Sequence, residues 1–237
     1  MRETGTMTPT DPPRRRVPRP HVSIHPSTHP SMQPSKHFSM LREFHLADLF
    51  TLGNAACGTA SVLLAMRYVG TQALADFLWA AALAPAAFVF DVFDGRIARR
   101  CNTQSALGRE LDSLADIVSF GVGPAALAWA AGLSGGWDAL VLIYFVCCGV
   151  SRLARYNVTA ESLSAGAAKV PYFEGTPIPT SVALTAVLAV AAWQGHIGAA
   201  LWGGVWHVGP FELHPLVLLF ALSGTLMISK TLRIPKL

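Results

Sequence analysis

The sequence predicts an all-α membrane protein with about six transmembrane helices. Of its 237 residues, 52% are hydrophobic and 14% are charged, and the mean hydropathy is +0.42, which is too apolar for an ordinary soluble domain. The formal charge of +4 comes from basic residues in short clusters between apolar runs. That distribution fits the positive-inside pattern of membrane proteins, and no nucleic-acid-binding module is recognisable, so we expect no nucleic-acid partner.

Proline, serine, histidine and arginine dominate the first 41 residues, which include a run of arginines from Arg14 to Arg16. This composition predicts a disordered cytoplasmic tail, and residues 42–237 are expected to form the membrane domain. The tail lacks the continuous apolar core of a signal peptide, so we expect no cleavage. Translation that starts at Met32 or Met40 is an alternative.

Six apolar runs follow the tail, some of them shorter than the roughly 20 residues with which an α-helix crosses a bilayer. Between the last two runs, the stretch from Gly195 to Leu213 contains Trp202, Trp206 and His207, and it is expected either to extend the fifth helix or to lie at the membrane interface. The six runs are Leu46 to Met66, Ala73 to Phe93, Ala106 to Ala131, Ala139 to Ala154, Pro179 to Gln194 and His214 to Ile228.

Lysine and arginine are unevenly distributed among the connections. They occur in the tail, in the second and fourth connections and at the C-terminus, whereas the first connection has little beyond Arg67 and the third and fifth have none. By the positive-inside rule both termini are cytoplasmic, which agrees with an even number of helices. We therefore expect an integral protein of the plasma (inner) membrane, with the connection between the second and third helices on the cytoplasmic side.

The four cysteines lie in or beside apolar runs, without the spacing of a metal-binding or disulfide motif. Cys57, Cys101, Cys147 and Cys148 are therefore expected to be packed, inert thiols.

The stretch from Asp91 to Asp116 places four aspartates in this otherwise apolar chain. Asp91 and Asp94 are three residues apart, and Asp112 and Asp116 are four apart, so each pair lies on one face of a helix. Four carboxylates at the edge of a low-dielectric region need cations among them. Two divalent ions would match the four negative charges, and oxygen-only ligands favour Mg²⁺ or Mn²⁺ over zinc.

Two hard cations held side by side are suited to phosphoryl transfer, because they clamp the attacked phosphate and the leaving oxygen. The small residues Gly95, Ala98 and Gly108 let backbones approach each other and a bulky ligand. Arg99 offers a planar fork to a phosphate. The alternative interpretations are a proton or ion path in a membrane transporter, and small residues that only pack helices.

The same stretch resembles the signature of the CDP-alcohol phosphatidyltransferase family, Asp-x2-Asp-Gly-x2-Ala-Arg-x8-Gly-x3-Asp-x3-Asp, at every fixed position. The resemblance implies a six-helix membrane fold, commonly dimeric, that moves a phosphatidyl group from a CDP-linked lipid to an alcohol and releases CMP. It implies metal ligation by Asp91, Asp94 and Asp112, and both ligation and general-base catalysis by Asp116. The positions where the family contacts the CDP-lipid are Gly95, Arg99, Ser105 and Gly108.

Within this family, the flanking stretches are most similar to the membrane-integral phosphatidylserine synthases. This implies CDP-diacylglycerol as donor, L-serine as acceptor and a homodimer among membrane lipids, with Thr51 and Asn54 as contacts to the CDP portion. The sequence departs from the usual pattern at Ala47 and Asp48, where relatives often have Pro-Asn, and at Thr176, where leucine is frequent. The similar stretches are Thr51 to Gly58, Leu111 to Gly121, Ser151 to Asn157, Phe173 to Pro179 and Leu226 to Ser229.

An amino-acid acceptor presents a carboxylate and an ammonium group. Arg152 and Arg155 are suited to the carboxylate, and Glu174 to the ammonium. The alternative for the two arginines is a role as topology determinants against lipid headgroups. Glycerol 3-phosphate or inositol phosphate would also require arginines, so both stay open as acceptors.

Overall fold

The computed structural model describes residues 46–101, 106–164, 172–229 and 233–235. Helices dominate these ranges, and the all-α membrane class that the sequence predicts is confirmed. The N-terminal tail lies outside the described residues. The helices are α1 (Leu46–Thr71), α2 (Leu74–Cys101), α3 (Ala106–Asp116), α4 (Gly123–Ala130), α5 (Gly136–Ser164), α6 (Val182–Trp193) and α7 (Leu218–Ile228).

Among the described residues, four helical stretches are long and apolar enough to cross a membrane: Ala47–Thr71, Leu74–Ile97, Leu107–Ala130 and Gly136–Thr159. Two shorter apolar helices follow, Ile178–Trp193 and Pro215–Ile228, each of which begins with a short 3-10 turn. Every one of the six apolar runs thus contains a helix, and four of the six reach the length of a full span.

The third long stretch is not a regular α-helix. A π-helical segment, Ile117–Val122, joins α3 to α4, and the Gly123 N–H donates to the Val118 carbonyl five residues earlier. A π-helical segment holds more residues per turn than an α-helix, so it changes the relative rotation of the faces on either side of it. The aspartates of α3 lie immediately before this segment, and the buried apolar face of α4 follows it.

The core is built from aromatic and small side chains between closely spaced helices. The rings of Tyr68 and Phe77 meet edge to face at 5.1 Å where α1 turns into α2, and those of Phe145 and Phe220 do so at 5.3 Å between α5 and α7. Gly58 on α1 lies directly against Ser119, where an added Cβ would stand only 2.6 Å from the Ser119 Cα. Glycine at this position therefore allows α1 to touch the π-helical backbone.

The part of the chain that the structure describes also contains two small antiparallel sheets. β1 (Tyr172–Glu174) pairs with β4 (Arg233–Pro235), and β2 (Trp206–Val208) pairs with β3 (Phe211–Leu213). The helix α6 ends at Trp193, and Gly195 follows with a φ of 75°. The alternative in which residues up to Leu213 extend the fifth helix is therefore wrong, because the left-handed glycine stops the helix and a hairpin takes its place.

Candidate active site

Three of the predicted aspartates meet where the end of α2 faces the start of the third long stretch. Asp91 lies on α2, and Asp112 and Asp116 lie one turn apart on α3. Each offers a carboxylate oxygen, and these three oxygens lie within 4.8 Å of one another. The packing of α2 against α3 therefore brings the two ends of the signature together.

Asp94 is buried beside this cluster, with 5% of its surface exposed. Its Oδ2 accepts a hydrogen bond of 2.8 Å from the Thr51 hydroxyl of α1. Its negative charge is close enough to repel those of Asp91, Asp112 and Asp116. Asp94 thus belongs to the same electrostatic site, although its carboxylate is not among the three that the structure brings together.

A second contact from α1 reaches Asp116. The Asn54 side chain is fully buried, and its Nδ2 donates to Asp116 Oδ1 at 3.1 Å. The Ser119 hydroxyl donates in turn to the backbone carbonyl of Asn54 at 2.8 Å, beside the close contact at Gly58. Thr51 and Asn54, the residues expected to contact the CDP portion, thus both donate side-chain hydrogen bonds to aspartates of the site.

Several buried polar atoms at the site have no hydrogen-bond partner among the described residues. Asp112 Oδ1, Asn54 Oδ1 and Arg152 Nε are all in this state. Unsatisfied buried polar atoms are uncommon in folded proteins and point to a ligand. Two of the three are hard oxygen atoms beside a cluster of negative charge, so the donor set fits a divalent cation.

Arg152 of α5 lies beside the aspartate cluster. It is half-buried, and its guanidinium interacts favourably with the negative charge of Asp116. One further turn along α5, the Asn157 amide donates to the Ser113 hydroxyl at 3.0 Å and to Glu110 at 3.3 Å. This link between α5 and α3 was not foreseen from the sequence, although Asn157 closes one of the stretches that carry the resemblance.

The remaining predicted residues are placed less completely. Gly95 and Gly108 are half-buried on α2 and α3, and Arg155 is half-buried on α5. Ser105 lies outside the described residues, as do the side chains of Arg99 and Glu174.

The fold and the site together define an integral membrane protein with a cluster of aspartates between α2 and α3. The family model for CDP-alcohol phosphatidyltransferases matches residues 44–210. The chain belongs to this family, and it is therefore a phosphatidyltransferase of phospholipid synthesis rather than an ion-coupled transporter. The resemblance seen in the aspartate signature is confirmed.

Three relatives show how far the similarity extends, and each is named CDP-diacylglycerol–serine O-phosphatidyltransferase. The Saccharomyces cerevisiae protein is 42% identical over 203 residues, which cover 84% of this chain and 74% of the yeast protein. The Mycobacterium bovis protein is 40% identical over 68% of this chain and 54% of its own length. The Bacillus subtilis protein is 33% identical over 57% of this chain and 70% of its own length. The chain thus spans about half the length of its mycobacterial relative.

Proposed function

We propose that this protein transfers the phosphatidyl group of CDP-diacylglycerol to L-serine, giving phosphatidylserine and CMP. The observation that carries the proposal is the cluster of Asp91, Asp112 and Asp116, whose oxygens lie within 4.8 Å of one another in a chain of the CDP-alcohol phosphatidyltransferase family. The names of the yeast, mycobacterial and Bacillus relatives favour serine as acceptor.

The residues that would hold two divalent cations, Mg²⁺ or Mn²⁺, are Asp91, Asp94, Asp112 and Asp116. The unsatisfied Asp112 Oδ1 and the mutual repulsion of the four carboxylates support this assignment. When bound, such cations neutralise charge on the phosphate groups and on the departing oxygen.

Asp116 is the proposed general base. It accepts the proton of the serine hydroxyl, whose oxygen forms a bond to the lipid-side phosphorus as the bond from that phosphorus to the CMP oxygen breaks. CMP leaves with the electron pair of the broken bond. Asn54 donates to one oxygen of Asp116 at 3.1 Å, which supports this role because the hydrogen bond orients the carboxylate that would accept the proton.

The CDP-lipid contacts proposed from the family signature are Gly95, Arg99, Ser105 and Gly108. Thr51 and Asn54 are also proposed as contacts to the CDP portion, and both side chains are buried, with exposed fractions of 4% and 0%. Their hydrogen bonds add a second proposed role, which is to position the carboxylates of Asp94 and Asp116.

The acceptor is proposed to meet Arg152, Arg155 and Glu174. Arg152 is the best supported of the three, since its buried Nε lacks a partner among the described residues and its charge is drawn to Asp116. A carboxylate of serine would satisfy that donor. A phosphate of glycerol 3-phosphate or inositol phosphate would also do so, which keeps these two acceptors as the second candidate.

The arrangement proposed in the membrane places both termini and the aspartates on the cytoplasmic side of the inner membrane, where water-soluble serine and CMP exchange. Lysine and arginine clusters at that end of the bundle support this orientation. A cytoplasmic tail over residues 1–41, a membrane domain over residues 42–237 and assembly as a homodimer complete the proposal.

The deciding experiment is a CMP-release assay on the purified protein with CDP-diacylglycerol and Mn²⁺ or Mg²⁺. Serine, glycerol 3-phosphate and inositol phosphate are supplied separately, and a reaction without acceptor is the control for hydrolysis. We expect release with serine that a chelator abolishes and added cation restores. Release with glycerol 3-phosphate but none with serine would reject the proposed acceptor, and release unaffected by the chelator would reject the cation.

A further inference from the structure

The end of the bundle away from the aspartates has a distinct composition. Trp79 lies near the start of α2, and Asp91 follows it by twelve residues, or roughly 18 Å of helix. Trp129 is similarly displaced from Asp116 along the third long stretch. All six tryptophans of the chain lie in this half: Trp79, Trp129, Trp137, Trp193, Trp202 and Trp206. Tryptophan concentrates where a membrane meets water, because its ring is apolar and its N–H is polar.

The hairpin of β2 and β3 lies at this end, and it is amphipathic. Trp206 pairs directly with Leu213, and Val208 pairs with Phe211, so these four side chains share one face. The intervening pair, His207 and Glu212, projects from the opposite face, with ring nitrogen and carboxylate 4.0 Å apart. We call the two surfaces the apolar face and the polar face of the hairpin.

The apolar face is only partly covered by the protein. Trp206 is 53% exposed, Val208 45% and Phe211 49%. A contiguous apolar surface of this kind is unfavourable in water and marks a site of contact with lipid or protein.

Specific contacts attach the hairpin to the rest of the protein, so the exposure of its apolar face is not that of an unattached loop. The Trp137 indole N–H donates to the Val208 carbonyl at 2.8 Å, and the Trp137 and Phe211 rings meet edge to face at 6.0 Å. At its base, Asp138 is fully buried and accepts the backbone N–H groups of His214 and Gly135, each at 2.9 Å. These contacts fix the hairpin to the start of α5, at the level where the spans end.

We propose that the hairpin from Trp206 to Leu213 is a membrane-interface anchor. Its apolar face lies on lipid at the end of the bundle opposite the aspartates, and its polar face is turned toward headgroups and water. The partner is the lipid surface itself, since Phe211 of this face packs against the exposed Trp137 at the start of the α5 span, and the face belongs to the half that holds the tryptophans. The hairpin then sets how deep the bundle lies in the bilayer, and it does so independently of which alcohol the enzyme uses.

Spin labels on the two faces test this directly. Val208→Cys on the apolar face and the neighbouring His207→Cys on the polar face are compared in a chain whose native cysteines are replaced by alanine. The protein is reconstituted in phosphatidylcholine with a minority of phosphatidylglycerol, and its CMP release shows that it is folded. For each label we compare the rate of collision with oxygen to the rate of collision with a water-soluble nickel complex. We expect this ratio to be several-fold higher for the label at position 208 than for the label at position 207.

Equal access of nickel to both labels would place the hairpin in water and overturn the proposal. If neither oxygen nor the nickel complex reached the label at position 208, the proposal would be overturned in favour of a protein partner or a second copy.

Tryptophan fluorescence provides a measurement that keeps the native cysteines. The emission lost on Trp206→Phe is the contribution of Trp206, and lipids brominated near the headgroup end of the acyl chain should quench it more than lipids brominated near the chain terminus. A Trp206 contribution that neither lipid quenches would also overturn the proposal.

Discussion

The four aspartates of the site differ in what fixes them. Thr51 and Asn54 of α1 supply donors to Asp94 and Asp116, whereas Asp112 keeps a buried oxygen without a partner among the described residues. Leaving such an atom unsatisfied costs about 1–3 kcal/mol, so a folded site tolerates it where a ligand restores the loss. Two carboxylates are therefore oriented by the protein, and the unsatisfied oxygen indicates where a cation is held.

Replacing Asp116 by asparagine tests the general base. The change keeps the shape of the side chain and an oxygen for the Asn54 amide, but it removes the group that accepts the proton. We expect CMP release to fall by roughly 10²- to 10⁴-fold, while the thermal midpoint is no lower than that of the wild type, because one repelling charge is gone.

The matched control is Glu212→Gln, the same loss of charge on an exposed residue of the hairpin, for which we expect unchanged release. Release by the Asp116→Asn variant at the wild-type rate would remove Asp116 from the chemistry.

Thr51 tests the positioning of Asp94. Thr51→Val removes the hydroxyl that donates to Asp94 at 2.8 Å with little change in volume. A hydrogen bond to a charged group contributes about 1.5–3 kcal/mol, so we expect a loss of roughly 10- to 100-fold in rate at limiting cation. The Mn²⁺ concentration for half-maximal CMP release should rise as well.

Thr51→Ser restores the hydroxyl and should return both quantities toward the wild type. A valine variant with normal cation dependence and normal rate would show that the hydrogen bond does not position Asp94.

At the scale of the elements, the π-helical segment connects two requirements of the third span. Its upstream side presents Asp112 and Asp116 to α2, and its downstream side packs Leu127 into the core. The hydroxyl of Ser119, within the segment, donates to the backbone carbonyl of Asn54 at 2.8 Å. The wider turn thus lets one helix direct its aspartates to the polar cluster and its apolar side chains to the core. A continuous α-helix would present these two faces at a different relative rotation.

Gly58 tests this contact. An alanine Cβ there would lie 2.6 Å from the Ser119 Cα and 2.8 Å from its backbone N, and backbone atoms cannot give way as a flexible side chain can. We expect Gly58→Ala to destabilise the protein by roughly 1–3 kcal/mol and to lower CMP release, because α1 would be pushed from the π-helical segment and Asn54 from Asp116. Thermal unfolding in detergent and the CMP assay measure the two effects.

Gly70→Ala is the matched control on the same helix, since nothing lies within 4 Å of an added Cβ there. Alanine at that position should be neutral or stabilise by about 0.5–1 kcal/mol. Equal behaviour of the two variants would mean that the contact at Gly58 is unimportant.

At the scale of the whole molecule, the sequence predicts those structural features that depend on the local periodicity of residue types. The apolar runs predicted the helices, and the three- and four-residue spacing predicted that each pair of aspartates shares a helix face. Four carboxylates were expected to act together, and the structure brings those of Asp91, Asp112 and Asp116 within 4.8 Å of one another. The hydrogen bonds of Thr51 and Asn54 to aspartates 43 and 62 residues away depend on how the helices cross, which no local pattern encodes. The π-helical turn likewise depends on packing, and the residue composition of Ile117–Val122 did not predict it.

The two ends of the bundle also differ in charge, and this difference makes the orientation testable. Arginines accompany the aspartates at one end, whereas at the other Arg67 is paired with Asp76 at 3.1 Å. In the chain without native cysteines, Glu110→Cys marks the aspartate end and Ser134→Cys the far end, both at exposed positions. By the positive-inside rule, a membrane-impermeant maleimide should label position 134 but not 110 in right-side-out vesicles, and 110 but not 134 in inside-out vesicles. Labelling of 110 from the outside would place the aspartates on the other side of the membrane and reverse the proposed orientation.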